Sequence, residues 1–400
     1  MPDLDQQIEQ EKQRYLDFAA LNKGKKIYIY GAGKQAAPVA DFYREKGVTV
    51  AGFCVTDQSA NQKVLRNLPV CQVDEIPYED KDTAFVCGVR VQLNEEIKEI
   101  LNRNGYTNFL PASDLIRYLG SYGYSFYTNP MMEITTRLGC SVNCRYCPQE
   151  LFLREYMKAG NSEKVLTCEN FKICLDRLPA DTLIEFAGFT EPFLNEQCMD
   201  MIAYAKQRGH KVNIFTTLVG LKPTQLDALL KMEFEEFVLH VPDKEGYAVI
   251  PMDESYMEMV ERLAGAKKPD GSGFIDYACA QGTVPEEITG LLGDNTRIYV
   301  VLNDRAGNLK DSCLYGKRGL GGRIRCELSK DINHNVLLPD GRVVLCSNDW
   351  GMKHVMGNLL HDTYEEILNG EEAVSIREAM ERENGRFVLC RNCFQALQAD

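Results

Sequence analysis

The chain has 400 residues, 44% of them hydrophobic and 26% charged, and carries a formal net charge of −13. That length holds two or three domains at roughly 100–200 residues each, and the acidic balance argues against nucleic acid or an anionic membrane as partner, because either needs a positive footprint. No apolar run approaches the ~20 residues that span a bilayer, and "MPDLDQQIEQEKQRYLDFAALNKGKK" lacks the apolar centre of a signal peptide, so the cytoplasm is the expected compartment.

Residues 1–25 read as a leading charged helix. "KIYIYGAGKQAAPVADFYREKG" is then strand, glycine turn and helix, "VTVAGFCV" and "DTAFVCGV" are further strands, and "NEEIKEILNRNGYTNFL" is a helix entering a short strand. This alternation predicts a small doubly wound parallel sheet of the α/β class over residues 26–120. Its glycine turn has G-x-G-x-x-A spacing at Gly31, Gly33 and Ala36, and Asp57 ends the second strand. A tight turn, a close approach to phosphate and a helix N-terminus make a dinucleotide fingerprint in outline. The region also resembles the small Rossmann-like domains attached to sugar-modifying and capsule-assembly enzymes. Nucleotide or nucleotide-sugar binding and a structural or docking role both remain open.

After the linker "YLGSYGYSFYTNP", strands alternate with helices again: "MMEITTR", "TLIEFAGF", "KVNIFTTL", "EFVLHV", "FIDYACA" and "TRIYVVLN". About six βα units over residues 126–310 are too few for a closed barrel of eight, and predict a partial (β/α)6 TIM-type barrel. Residues 311–400 turn to short strands, glycines and cysteines, a third and smaller unit.

Fifteen cysteines in a long chain without a secretory signal point to metal binding, catalysis or core packing rather than a disulfide framework. Cys54, Cys71 and Cys87 in apolar strands, and Cys168, Cys174 and Cys198 on helices, read as buried small hydrophobes. Cys140, Cys144 and Cys147 are different, spaced C-x3-C-x2-C in "CSVNCRYCPQE" directly after the first barrel strand. Parallel barrels place their active sites at that strand end. Thiolates favour zinc or iron–sulfur clusters, and three of them leave one position open, as catalytic centres do.

A second set comprises Cys326, Cys346, Cys390 and Cys393. A hairpin turn at "PDG" is expected to return Cys346 beside Cys326, and the terminal C-x2-C pair then closes a four-thiolate site. A zinc ribbon is the alternative use of that spacing. Cys279 and Cys313 are the nearby extras, read as buried thiols or as donors of a hydrogen atom or proton.

The first loop resembles the radical S-adenosylmethionine (SAM) superfamily, whose signature C-x3-C-x-aromatic-C is completed here by Tyr146. The resemblance implies a [4Fe–4S] cluster on Cys140, Cys144 and Cys147, with the amino and carboxylate groups of SAM on the fourth iron. "GFTEP" resembles the family's G-x-G-E-P-like motif through Gly188, Glu191 and Pro192, with Thr190 replacing the second glycine. It implies that the backbone here and Glu191 receive the SAM ammonium. Thr216 and Thr217 stand where the family has T-N-G and are implied hydroxyl donors near SAM; His240 and Asn303 end later strands on the same side. Arg305 in "NDRAGN" is the candidate to pair with a carboxylate or phosphate, and with Cys313 it makes the catalytic shortlist.

The tail, "CSNDW…GNLL…YEEILNG…LCRNC", resembles the SPASM domain in its shortened twitch form, which implies one auxiliary [4Fe–4S] cluster on the four C-terminal cysteines. Together these resemblances imply an oxidoreductase that cleaves SAM reductively to a 5′-deoxyadenosyl radical and takes a hydrogen atom from substrate, fed by a flavodoxin- or ferredoxin-type electron donor. A carbohydrate or nucleotide-sugar, oxidised or epimerised, is the first expectation. Modification of a ribosomally made peptide is the second, and a zinc-stabilised binding protein the third.

Overall fold

A computed structural model describes the chain except residues 1–3, 34, 59, 60, 62, 77–81, 90, 114, 117, 118, 120–128, 159, 161, 162, 269–272, 294–297, 301–303, 310–318, 384, 399 and 400. It divides into two compact units, one of residues 1–126 with 267–273 and 292–297, the other of the remainder.

The first unit opens with α1 (Leu4–Leu21), β1 (Ile27–Tyr30), α2 (Ala36–Glu45) and β2 (Gly52–Val55). It continues with β3 (Val64–Leu65), β4 (Leu68–Gln72), β5 (Ala84–Cys87), α3 (Asn94–Arg103) and β6 (Phe109–Leu110). The sheet order is β3-β4-β2-β1-β5-β6, and every pairing except β3–β4 is parallel. With β3 set aside this is a doubly wound order whose direction reverses between β1 and β5. Both faces of the sheet are apolar, one packed around Tyr15, Ile29 and Phe53, the other around Phe85, Leu101 and Tyr106. Such burial on two sides is why the strands read as continuous hydrophobic runs. Cys54 and Cys87 lie fully buried within them, whereas Cys71 is half-buried.

The second unit begins with β7 (Met131–Ile134), α4 (Gln149–Lys158), α5 (Cys168–Leu175), β8 (Leu183–Phe186) and α6 (Cys198–Gln207). Next come β9 (Val212–Thr216), α7 (Pro223–Leu229), β10 (Glu236–His240), α8 (Glu254–Gly265), β11 (Tyr277–Ala280), α9 (Glu286–Leu292) and β12 (Ile298–Val300). Strands β7 to β12 lie side by side in chain order, all parallel. Helix starts follow ordinary capping chemistry: Thr167 accepts from the Asn170 amide at 3.1 Å, and Asp253 from that of Tyr256 at 2.9 Å. Cys174 and Cys198 are buried on α5 and α6, but Cys168, at the start of α5, is only half-buried.

The tail comprises β13 (Ile324–Cys326), β14 (His334–Leu337), β15 (Arg342–Val344), β16 (Val355–Asn358), α10 (Tyr364–Asn369), α11 (Glu371–Glu381) and β17 (Ala396–Gln398). Strand β14 pairs in parallel with β7, so the β14–β15–β16 meander extends the six-stranded sheet to nine strands. The expected hairpin is present as β14–β15, but Cys326 is not on it. That cysteine ends β13, which forms a separate two-stranded ribbon with β17. The junction is held by an aromatic cluster in which Phe189, from the loop after β8, lies 4.7 Å from Phe152 of α4 and 4.6 Å from Trp350 of the tail, centroid to centroid. Among the described residues no helix is long and apolar enough to cross a membrane.

Candidate active site

The C-terminal ends of β7, β8, β9, β10 and β12 present, in turn, the cysteine loop, the Gly188–Pro192 turn, Thr216 and Thr217, His240, and Asp304 with Arg305. The cysteine loop is wound tightly by left-handed residues, Gly139 at φ 80° and Asn143 at φ 46°. It is docked on a neighbouring segment, the Arg145 amide donating to the Tyr247 carbonyl at 2.8 Å and the Val249 amide to the Val142 carbonyl at 2.9 Å. The sulfur of Cys140 accepts from the backbone amides of Glu191 and Val142, although burial, the larger effect, still pushes its pKa up. Cys144 donates to Cys147; that bond pulls the Cys147 pKa down against its burial, and the Arg305 guanidinium pulls the same way. Tyr146 donates its hydroxyl to Cys144.

This donor set fits an iron–sulfur cluster. Three converging thiols, amides directed at sulfur and a nearby guanidinium all stabilise thiolate, the ligating form.

Gly188 has no room for a side chain: a Cβ there would lie 2.5 Å from Thr135 Oγ1 and 2.8 Å from its nitrogen, at φ 61°. The next residues bind the turn to its surroundings. The Phe189 amide donates to Thr135 Oγ1 at 3.1 Å, and Thr190 Oγ1 donates to the Gly139 carbonyl, just before Cys140, at 3.0 Å. Pro192 opens a short 3-10 turn, and its carbonyl accepts from Thr136 Oγ1 at 3.0 Å.

Glu191 is 5% exposed, and its carboxylate accepts four hydrogen bonds. Oε1 takes Thr216 Oγ1 at 2.7 Å and the Phe193 amide at 3.3 Å; Oε2 takes the Thr217 amide at 2.6 Å and Thr217 Oγ1 at 2.7 Å. Four donors use the lone-pair sites of a carboxylate. Glu191 therefore ties the end of β8 to the end of β9. Both threonine hydroxyls donate to Glu191. The three residues expected near SAM are thus brought together by the fold.

His240 is half-buried at the end of β10, in register with buried Cys279 of β11 and 6.3 Å from the ring of Phe215. Asn303 and Cys313 lie outside the described residues. Arg305 has the left-handed φ of 49° and acts on Cys147, Tyr146 and the buried Glu133.

The second cysteine set lines a cavity of about 60 Å³, where Cys326, Cys346, Cys390 and Cys393 meet Met131 and Glu133 of β7. Sulfur here again receives N–H groups: Leu328 N to Cys326 at 3.4 Å, Gln395 N to Cys393 at 3.4 Å, and Asn348 Nδ2 to Cys393 at 3.6 Å. Burial pushes the Cys393 thiol up to about 12 and drives those of Cys346 and Cys390 well above their usual value, and neighbouring thiolates add to each. Cys393 is buried and the other three are half-buried; four thiolates that repel one another need a cationic centre, which a bound metal site supplies. Among the described residues no group of three or more His, Cys, Asp or Glu is arranged for a single metal ion.

A polar network that sequence reasoning missed shapes this set. Asp349 accepts from the Lys353 and His354 amides, each at 2.8 Å, and fixes the loop after Cys346. His354 Nε2 accepts from the Leu389 amide at 3.1 Å, which leaves Nδ1–H to donate to Glu372 at 2.8 Å. One buried imidazole thereby joins the Cys346 loop, the Cys390 turn and α11. The only sequence signal was the "NDW" after Cys346.

Residues 326–394 match the SPASM family, an iron–sulfur cluster-binding domain, and the match contains all four cysteines. Over 275 residues the chain is 22% identical to the S-adenosyl-L-methionine-dependent 2-deoxy-scyllo-inosamine dehydrogenase of Niallia circulans, covering 66% of this chain and 92% of that one. Residues 326–394 thus carry a SPASM iron–sulfur cluster-binding domain. Among solved structures it is similar to BtrN in complex with AdoMet and 2-DOIA (17% identity, 66% of this chain, 93% of that chain, TM-score 0.43). It is also similar to Streptococcus suis SuiB bound to precursor peptide SuiA (12% identity, 72% of this chain, 79% of that chain, TM-score 0.39).

In the first unit, Gly31 turns at φ 110° and its Cβ position would lie 2.7 Å from the Gly88 carbonyl, so the β1 and β5 ends approach backbone to backbone. The Gly33 carbonyl accepts from the Ala36 amide at 2.9 Å as α2 begins, and Asp57 is exposed beyond β2. The turn has the shape of the fingerprint, and its glycine is already required by protein packing.

Proposed function

We propose that this protein is a radical SAM enzyme, with [4Fe–4S] clusters on its two thiol sets, that oxidises a carbinol carbon of a small carbohydrate-like molecule, an aminocyclitol, sugar or nucleotide-sugar, to a carbonyl. The observation that carries the proposal is the complete four-cysteine set whose cavity opens against β7, the strand that also launches the three-cysteine loop. The similarity to an inosamine dehydrogenase supports the same substrate class.

When bound, the cluster with SAM supplies hydrogen-atom abstraction and the auxiliary cluster a one-electron sink. A carbinol that becomes a carbonyl gives up one hydrogen atom from carbon, one electron and one hydroxyl proton. The first two have takers in the two thiol sets, and the proton leaves to water. Arg305, whose charge acts on Cys147 of the cysteine loop, holds a substrate oxygen or phosphate in this reading. Glu191 and the threonines keep the 188–190 turn in position, and Thr190 ties it to the start of the cysteine loop.

The test is anaerobic incubation of the iron-loaded enzyme with SAM, reductant and substrates deuterated at single carbinol carbons. Deuterium in 5′-deoxyadenosine together with a carbonyl product is the expected result. Deuterium arriving only from a peptide side chain would transfer the enzyme to peptide modification instead.

A further inference from the structure

Glu133 is an acidic residue in the middle of a barrel strand, 7% exposed, in a position that neither thiol set requires. It stands in register beside Glu185 of β8, whose Oε2 accepts from Asn213 of β9 at 3.1 Å. Carboxylates paired side by side on adjacent strands repel, and an isolated buried charge is costly. Glu133 is nonetheless well supplied with partners. Ser347, directly after the auxiliary-set Cys346, and the Gly188 backbone, in the SAM-side turn, both hydrogen-bond its carboxylate, and the Arg305 guanidinium lies close enough to favour its charge. Burial, the largest effect, leaves its pKa raised, and these three groups pull against it.

The carboxylate thus touches both halves of the site. It lines the cavity of Cys326, Cys346, Cys390 and Cys393, and it is hydrogen-bonded by the turn on which SAM is expected. Arg305 makes the complementary link, because the same guanidinium acts on Cys147 and Tyr146 of the cysteine loop.

The turn that carries Arg305 is built for this placement. Arg305, Ala306 and Gly307 are consecutive left-handed residues, at φ 49°, 54° and 81°. Two consecutive non-glycine residues in that region are strained and persist only where the surroundings over-determine them. The surroundings here are the auxiliary loop: Asn308 Nδ2 donates to the Arg305 carbonyl at 2.9 Å and to the Asn348 carbonyl at 2.8 Å, and Asn348 in turn donates to Cys393.

We infer that Glu133 and Arg305 are a pair of positioning residues that couple the two cluster sites electrostatically, the carboxylate setting the reduction potential of the auxiliary cluster and the guanidinium opposing it. The inference rests on the reading of the auxiliary cluster as an electron sink. A negative charge beside the cluster disfavours its reduced form, and the nearby cation offsets that effect.

The test is an EPR-monitored redox titration of the iron-loaded protein, without substrate, for the wild type and for Glu133→Gln and Arg305→Gln. Glu133→Gln is expected to shift the auxiliary potential upward and Arg305→Gln to shift it downward, with the doubly substituted protein returning towards the wild type. A merely structural pair would not move the potential in opposite directions. Unmoved potentials, or shifts of the same sign in both variants, would overturn the inference. If one variant failed to take up iron, Glu133→Asp and Arg305→Lys, which keep the charges, must restore uptake and the wild-type potential; failure to do so would also count against it. The deuterium experiment reads the substrate and this titration does not, so the two readings fail independently.

Discussion

At the scale of single residues, Glu191 is the residue on which the SAM-side geometry turns. Its four accepted hydrogen bonds fasten the ends of two strands together inside the protein. Glu191→Ala strands two threonine hydroxyls and the Thr217 amide as buried donors, at about 1–3 kcal/mol for each group left unsatisfied. The expected outcome is a local loss of about 3 kcal/mol or more, read as lost hydrogen-exchange protection at the Thr217 amide while the first unit keeps its own. Unchanged protection at Thr217 would mean that the tie contributes nothing. The presence of Glu191, Thr216 and Thr217 was plain in the sequence. Their mutual partnership was not, since a threonine pair in a strand also reads as β-propensity and hydroxyl partners across strands are invisible to spacing. Glu133 escaped for a similar reason. A lone carboxylate between Met132 and Ile134 carries no motif, and its importance comes from Ser347 and Arg305, both far away in the chain.

Among the elements, the auxiliary set draws on three different pieces: the end of β13, the loop after β15, and a 3-10 turn over Leu389–Asn392. His354 and Asp349 hold two of these pieces together. Cys390→Ser removes one ligand of four and is expected to cost about four of the roughly eight irons of two [4Fe–4S] clusters. Iron analysis with Mössbauer spectroscopy checks this, and retention of the full iron content would contradict the ligand set. The βα pattern made all six barrel strands readable, because each is a short apolar run set between helical periodicities. The insertion of β14 beside β7 was not readable, since that pairing joins residues about two hundred positions apart in the chain. The hairpin turn was correctly located, but the turn alone left open which strand would carry Cys326, and that strand pairs with β17 at the far end.

For the molecule as a whole, the contrast between the two thiol sets is the organising feature. One has four sulfurs enclosed by the tail; the other has three, at the end of a parallel strand, with an arginine and a glycine turn beside it. That asymmetry was legible from cysteine spacing, because ligand number is countable in a sequence where ligand geometry is not. The doubly wound first unit was equally legible, although its turn packs Gly31 so tightly against Gly88 that the same glycine serves the fold whether or not a nucleotide binds.

The account stands most directly on the open position of the three-cysteine set. The decisive measurement is pulsed EPR of the reduced, iron-loaded enzyme with SAM labelled at its amino nitrogen with nitrogen-15, made in the Cys390→Ser background so that the signal comes from the cluster on Cys140, Cys144 and Cys147. A hyperfine coupling to the labelled nitrogen is the predicted result, abolished by Cys144→Ala. A reduced cluster whose spectrum is the same with labelled SAM, unlabelled SAM or none would contradict the claim that the cosubstrate takes the fourth position.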